Sequence, residues 1–187
     1  QMILAELPID GRLRRVLMQA PKNGFFYVLD RETGELLSAE NYVPVTWAKG
    51  VDLSTGRPIE AQGSRYGADP QHIHPGPVGG HNWQPMAFDP ETGLVYIPTQ
   101  DMAYPYEPDP DHVHRPGFFN TGEDLPGLAA SVDGFERALR FCAPTHLTAW
   151  DPVRQRQVWR VEHRSEVNGG ALATAGRKVE ASYHVPY

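Results

Sequence analysis

Cysteine is all but missing from this chain of 187 residues: Cys142 stands alone. An intramolecular disulfide is therefore excluded. With no Cys-x-x-Cys-His there is also no covalent c-type haem site within the chain. Long apolar runs are missing too, and none approaches the roughly 20 residues that a helix needs to cross a bilayer. There is no basic run. The 17 Lys and Arg are outnumbered by 23 Asp and Glu, for a net charge of -6, which argues against nucleic acid as a partner. No signal peptide is recognisable. The opening "QMILAEL" reads as the middle of a strand, so a fragment of a longer protein is expected.

Several catalytic signatures are absent as well. There is no nucleophile elbow, no phosphate-cradling glycine loop, and no Ser/His/Asp set in a recognisable context. Paired carboxylates such as Glu123-Asp124 fall in polar loop sequence and read as solvated.

Glycine and proline, by contrast, are abundant, at 18 residues each. They predict many short elements joined by turns, and they argue against long helices. The apolar fraction of 40% and the length suffice for one domain with a real core.

The apolar runs pair up around turn residues. Residues 2–7 and 15–20 flank Asp10-Gly11, a hairpin signal. "FFYVL" at 25–29 leads into Asp30-Arg-Glu-Thr-Gly34 and then "ELLSAE". In such a turn the Asp accepts backbone N–H groups ahead of it and the Gly supplies a positive φ. The unit recurs in "MAFDPETGLVYIP" at 86–98, and without Thr-Gly in "LTAWDPVRQRQVWRVEH" at 147–163. Asp30 and Asp89 are 59 residues apart, and Asp89 and Asp151 are 62 apart. A shorter cousin, "VDLSTGRPI", occupies 51–59. A unit repeated at this period predicts stacked antiparallel sheets, most naturally the four-stranded blades of a β-propeller. Between the hairpins, 60–80 and 101–127 read as long irregular loops, and "VDGFERALRF" at 132–141 as one short helix.

Two histidine pairs, His72-x-His74 and His112-x-His114, invite a metal reading. They sit among prolines with no cysteine and no clear third ligand, so loop histidines bonded to backbone or water are the preferred reading. Two other stretches precede strong strands: Pro21-Lys22-Asn23-Gly24 and Gly80-His81-Asn82-Trp83. In a propeller such positions converge on the central channel. Lysine there offers a point charge, asparagine a donor and an acceptor, and tryptophan a flat face. A plain turn and a core tryptophan are the competing readings.

Taken together, "LMQAPKNGFFYVLDRETGELLSA", "VPVTWA", "TGRPIE", "GGHNWQPMAFDPETGLVYIPTQ" and "LTAWDPVRQRQVWRVEH" resemble the pyrroloquinoline quinone (PQQ) dependent alcohol dehydrogenases. The likeness is to the quinohaemoprotein ethanol dehydrogenases and their methanol dehydrogenase relatives. It runs from residue 2 to about 176, with a weaker patch at 101–145. The resemblance implies an all-β fold, part of an eight-bladed β-propeller. About three blades of antiparallel four-stranded sheets would fall in this chain, with Trp150 and Trp159 in a tryptophan-docking repeat. It implies oxidation of a primary alcohol in the periplasm, by hydride transfer to PQQ beside Ca²⁺ or a lanthanide. Electrons would leave to a cytochrome c or to a fused haem domain. Lys22 matches the family's basic residue at the quinone oxygens. Asn82 and Trp83 match its Asn-Trp pair at the cofactor edge, and Asn168-Gly169-Gly170 matches a loop near the channel.

The departures count. The general-base aspartate and the metal ligands are expected upstream of Gln1, so no catalytic and no metal-binding residue is assigned here. Val167 stands where the family has a tryptophan. The likeness defines a partial propeller domain at 1–176 and a divergent tail at 177–187, truncated or frameshifted, to which no element is assigned. The chain alone is expected to be inactive. The rival reading is a non-catalytic propeller piece that serves as a scaffold or binding module.

Overall fold

The computed structural model describes residues 1–65, 71–118, 120–123, 144–163, 169–174 and 179–181. Cys142, Val167, Asn168 and the helix expected at 132–141 lie outside them. The described residues form strands and no helix, so nothing among them is a helix long and apolar enough to cross a membrane.

The first sheet is a four-stranded antiparallel meander of β1 (Ile3–Ile9), β2 (Arg12–Gln19), β3 (Phe25–Asp30) and β4 (Leu36–Asn41). Asp10 (φ 50°) and Gly11 (φ 73°) close the first hairpin. Two consecutive positive φ values match the right-handed twist of the strands they join. A hairpin of β5 (Ala48–Asp52) and β6 (Arg57–Glu60) follows. The second large sheet contains β8 (Ala87–Asp89), β9 (Leu94–Gln100), β11 (Thr145–Asp151) and β12 (Arg156–His163), paired in the order β12-β11-β9-β8.

The recurring aspartate builds the same turn each time. Asp30 Oδ1 accepts the N–H groups of Glu32 (2.8 Å) and Thr33 (3.0 Å), while Gly34 N donates back to Asp30 O (2.8 Å). Asp89 accepts Glu91 N (2.9 Å), and Asp52 accepts Ser54 N (2.9 Å). Asp151 accepts Val153 N (3.0 Å) and Arg154 N (2.9 Å). Gly34, Gly56 and Gly93 take the positive φ, and Gln155 takes it (φ 50°) where the repeat lacks glycine. These carboxylates are turn-formers, which is why the spacing repeats.

Packing follows from strand alternation. Val16 and Met18 of β2 and Phe26 and Val28 of β3 face Val95 and Ile97 of β9 and Trp150 of β11, forming the main core between the two sheets. The Phe26 and Trp150 rings pack at a tilt, with centroids 5.9 Å apart. The far face of the second sheet carries Tyr96, Leu147 and Ala149. It is covered by a third layer, the pair β13 (Ala171–Ala173) and β14 (Val179–Ala181). The expected succession of blades thus appears as two complete sheets and a third layer of two described strands. Every residue of β11 is buried, as befits a strand covered on both faces. Thr148 Oγ1 lies 2.8 Å from Thr99 Oγ1 on the neighbouring strand.

Two expectations change. The long loops are not wholly irregular: β7 (Gln71–Ile73) from one pairs with β10 (Tyr104–Tyr106) from the other. Short runs flanked by Pro and Gly hide such a strand from periodicity. Likewise the tail carries an element, since β14 pairs with β13 through Ala173↔Val179.

Candidate functional site

The Lys22 turn links β2 to β3, at the end of the first sheet opposite the aspartate turn. Its shape is fixed from several sides. Gly24 supplies φ 95°, and Asn23 Oδ1 accepts Phe25 N (3.1 Å) while Asn23 Nδ2 donates to the Tyr27 hydroxyl (2.8 Å). The turn's carbonyls are held from outside: the Tyr42 hydroxyl donates to Pro21 O (2.7 Å), and Trp47 Nε1 to Asn23 O (2.9 Å). Burial pushes the Tyr42 phenol well above its ordinary pKa, so it stays protonated and keeps donating. The Lys22 side chain itself is exposed, its Nζ donating to Pro77 O at 3.2 Å.

The second stretch lies directly against this turn, although 55 residues of chain and more separate them. Gly80 N donates to Lys22 O (3.2 Å). Gly79 packs so closely on Lys22 that a Cβ there would sit 2.6 Å from Lys22 Cα. Gln100, at the end of β9, holds both glycines: its N donates to Gly80 O and its Nε2 to Gly79 O, each at 2.9 Å. Asn82 N donates to Gln84 Oε1 (3.2 Å). Trp83 is 63% exposed. An indole open to this degree is not core, so the core reading of this residue is overturned.

The glycine loop joins the same region. Gly170 lies on Pro85, where a Cβ would meet the ring at 2.5 Å, and Ala171 N donates to Pro85 O (2.8 Å). Three stretches distant in sequence, 20–24, 79–86 and 170–171, therefore meet at one end of the stacked sheets. These stretches carry the Lys22 ammonium, the Asn82 amide and the exposed Trp83 indole.

The sequence alone did not reveal the supports. His81, Gln100, Tyr42 and Trp47 hold the site's backbone; His81, Gln100 and Trp47 fall within stretches that carry the family likeness, but their supporting role had no signal in the sequence. The histidine pairs scatter. His72 lies in β7 opposite Pro105, His74 Nε2 faces Asp101 Oδ1 at 3.8 Å, and His112 and His114 are exposed. Among the described residues no three His, Cys, Asp or Glu side chains gather as metal ligands. A cleft of about 880 Å³ lies at the opposite end of the first sheet, between Asp10, Gly34 and Gly56. Arg14 lines it and bridges Asp30 (2.9 Å) and Glu35 (2.7 Å), so its charges are already paired.

No family model matches the chain. Individual proteins do. Over 185 residues it is 50% identical to the quinohemoprotein alcohol dehydrogenase ADH IIB of Pseudomonas putida, an alignment that covers 96% of this chain and 25% of that protein. The solved structure of the quinohemoprotein alcohol dehydrogenase ADHIIG from Pseudomonas putida HK5 superimposes with a TM-score of 0.83 at 45% identity. That match covers 97% of this chain and 27% of the other. A europium-containing methanol dehydrogenase superimposes with a TM-score of 0.78 at 30% identity, over 94% of this chain and 30% of the other. The chain thus spans about a quarter of the length of the curated relatives it matches. In sequence and in fold, it is a homologue of a quarter-length segment of the quinohaemoprotein alcohol dehydrogenases.

Proposed function

We propose that this chain forms one wall of the PQQ site of an alcohol dehydrogenase that oxidises primary alcohols to aldehydes. The observation that carries this reading is the convergence of the Lys22 turn with Gly79–Gly80 beside the exposed Trp83. The residues present fit such a cofactor. Lys22 has an exposed ammonium that donates to Pro77 O at 3.2 Å. Trp83 offers a planar face to a planar ring system. Asn82 offers an amide to the quinone edge.

PQQ, if bound here, would supply the hydride acceptor. Lys22 would then be the residue that holds its quinone oxygens and offsets negative charge on them. The Tyr42 and Trp47 bonds fix the turn from which Lys22 extends, and Gln100 fixes the glycines packed against it. The general-base aspartate and the ligands for Ca²⁺ or a lanthanide are assigned to the part of the protein outside this chain. The likeness to a europium-containing methanol dehydrogenase supports the metal. Likeness to quinohemoprotein relatives supports a cytochrome c or a fused haem domain as electron acceptor. A periplasmic location rests on the same family likeness.

The test is a titration of the purified chain with PQQ, followed by tryptophan fluorescence. Saturable quenching is expected, with Lys22→Ala weakening binding about tenfold, as loss of a charge-assisted bond implies. Quenching that does not saturate, or that ignores Lys22→Ala, contradicts the reading. With PQQ and Ca²⁺ added, the chain alone is expected to reduce no dye, and turnover would contradict the placement of the base elsewhere.

A further inference from the structure

His81 is buried to 1% exposure, yet both of its ring nitrogens face main-chain carbonyl oxygens. Nδ1 lies 2.7 Å from Ala20 O, and Nε2 lies 2.7 Å from Gln84 O. Ala20 stands two residues before Lys22, and Gln84 directly follows Asn82-Trp83. One ring therefore touches both stretches of the candidate site.

Its hydrogen-bond inventory does not close in the neutral state. A neutral imidazole carries one N–H, while the imidazolium carries two. The neutral ring donates to one carbonyl and turns a lone pair toward the other oxygen at 2.7 Å. Protonation converts that repulsive contact into a charge-assisted bond. Burial and the α-amino group of Gln1 oppose the charge, and the two carbonyls favour it. Burial is the largest of these and holds the pKa below the ordinary imidazole range.

We propose that His81 is a positioning residue for the cofactor face: a clip between the Lys22 turn and the Asn82–Trp83 turn whose second hydrogen bond forms only when the ring is protonated. This rests on the cofactor reading above. The clip places Lys22 and Trp83 relative to each other and touches no ligand itself. Among the described residues, Gly80 N also ties the second stretch to Lys22 O, and Gln100 holds both glycines through neutral groups.

Two measurements test it. The first uses the ligand-free chain. ¹⁵N-resolved NMR follows the His81 ring nitrogens and the amides of 20–24 and 80–84 from pH 7.5 to pH 5. The second ring nitrogen is expected to gain its proton in one step, with the amides of both turns shifting at the same midpoint. Ring titration that moves only the amides next to His81 overturns the clip. The second compares PQQ quenching for the native chain and for His81→Gln, which keeps a single short donor group. The native chain is expected to bind more tightly as pH falls through that midpoint. The variant is expected to bind about tenfold more weakly below that midpoint and to lose this pH dependence. If Lys22→Ala weakens binding while His81→Gln leaves affinity and pH profile unchanged, the clip is wrong and the cofactor reading stands. If the native chain does not bind PQQ, the cofactor reading fails, and the NMR titration still decides whether the clip exists.

Discussion

At the scale of single residues, the titratable groups divide into two kinds. Asp30 is held at about 2, first by the backbone N–H groups of Glu32 and Thr33 and then by Arg14. Its folded-state pKa lies below its ordinary value of 3.8. Its stabilising contribution is therefore complete above that value and is lost as pH falls toward 2. His81 and His146 are also lowered, chiefly by burial, from an ordinary value of 6.5. For a base held low, the folded state disfavours the proton that the unfolded chain accepts. Stability is thus complete above about pH 6.5 and falls as pH drops below it. Acid destabilisation is expected in two stages, one below about pH 6.5 and another below about pH 4. Chemical-denaturation midpoints across pH 2 to 8 read this directly. Asp30→Asn should flatten the lower stage alone. A midpoint constant from pH 7 down to pH 5 would show that the buried histidines carry no such linkage.

At the scale of elements, glycines with similar φ serve different ends. Gly34 (φ 79°) has open space where a Cβ would point, so Gly34→Ala meets only backbone strain, about 1–2 kcal/mol. Gly79 (φ 84°) lies against Lys22, so Gly79→Ala meets the same strain and a backbone collision. It is expected to cost about 1–3 kcal/mol more and to weaken PQQ binding by shifting the Lys22 turn. Denaturant midpoints for both variants, with a PQQ titration of each, check this. Equal losses of stability would remove the argument for close approach. The aspartate turns and the strands they join were legible in the sequence because local chemistry dictates them. An Asp with free acceptors and a Gly three or four residues later make one turn whatever surrounds it. Lys22 and Asn82-Trp83 were legible as separate stretches, and the family likeness named them. Their meeting was not legible, because it depends on Gly79 and Gly80 fitting against a turn far away in sequence. The β7–β10 pair was missed for a related reason: a three-residue strand between prolines has no period to detect.

At the scale of the whole molecule, the main core is an interface between sheets, so one deletion there affects both. Phe26 is fully buried against Trp150, and Phe26→Ala is expected to cost about 3–5 kcal/mol. That is a large share of the roughly 5–15 kcal/mol that holds a domain folded, so a marked fall in the denaturation midpoint is the expected result by circular dichroism. Among the described residues β12 is the outer strand of its sheet, and it exposes Val158, Trp159 and Val161. Exposed apolar edges pair with other chains. Sedimentation is expected to show association that grows with concentration and is reduced by Val161→Lys. A strictly monomeric chain at all concentrations would contradict this.

The central claim is that residues 20–24 and 79–86 form one cofactor-binding wall. Amide hydrogen exchange with and without PQQ tests it most directly, because it reports location as well as binding. Added PQQ is expected to slow exchange in both stretches together, and at 170–171 beside Pro85, while the aspartate turns at 30–34 and 89–93 stay unchanged. Protection confined to one stretch, or centred on the far-end cleft around Arg14, would contradict the account.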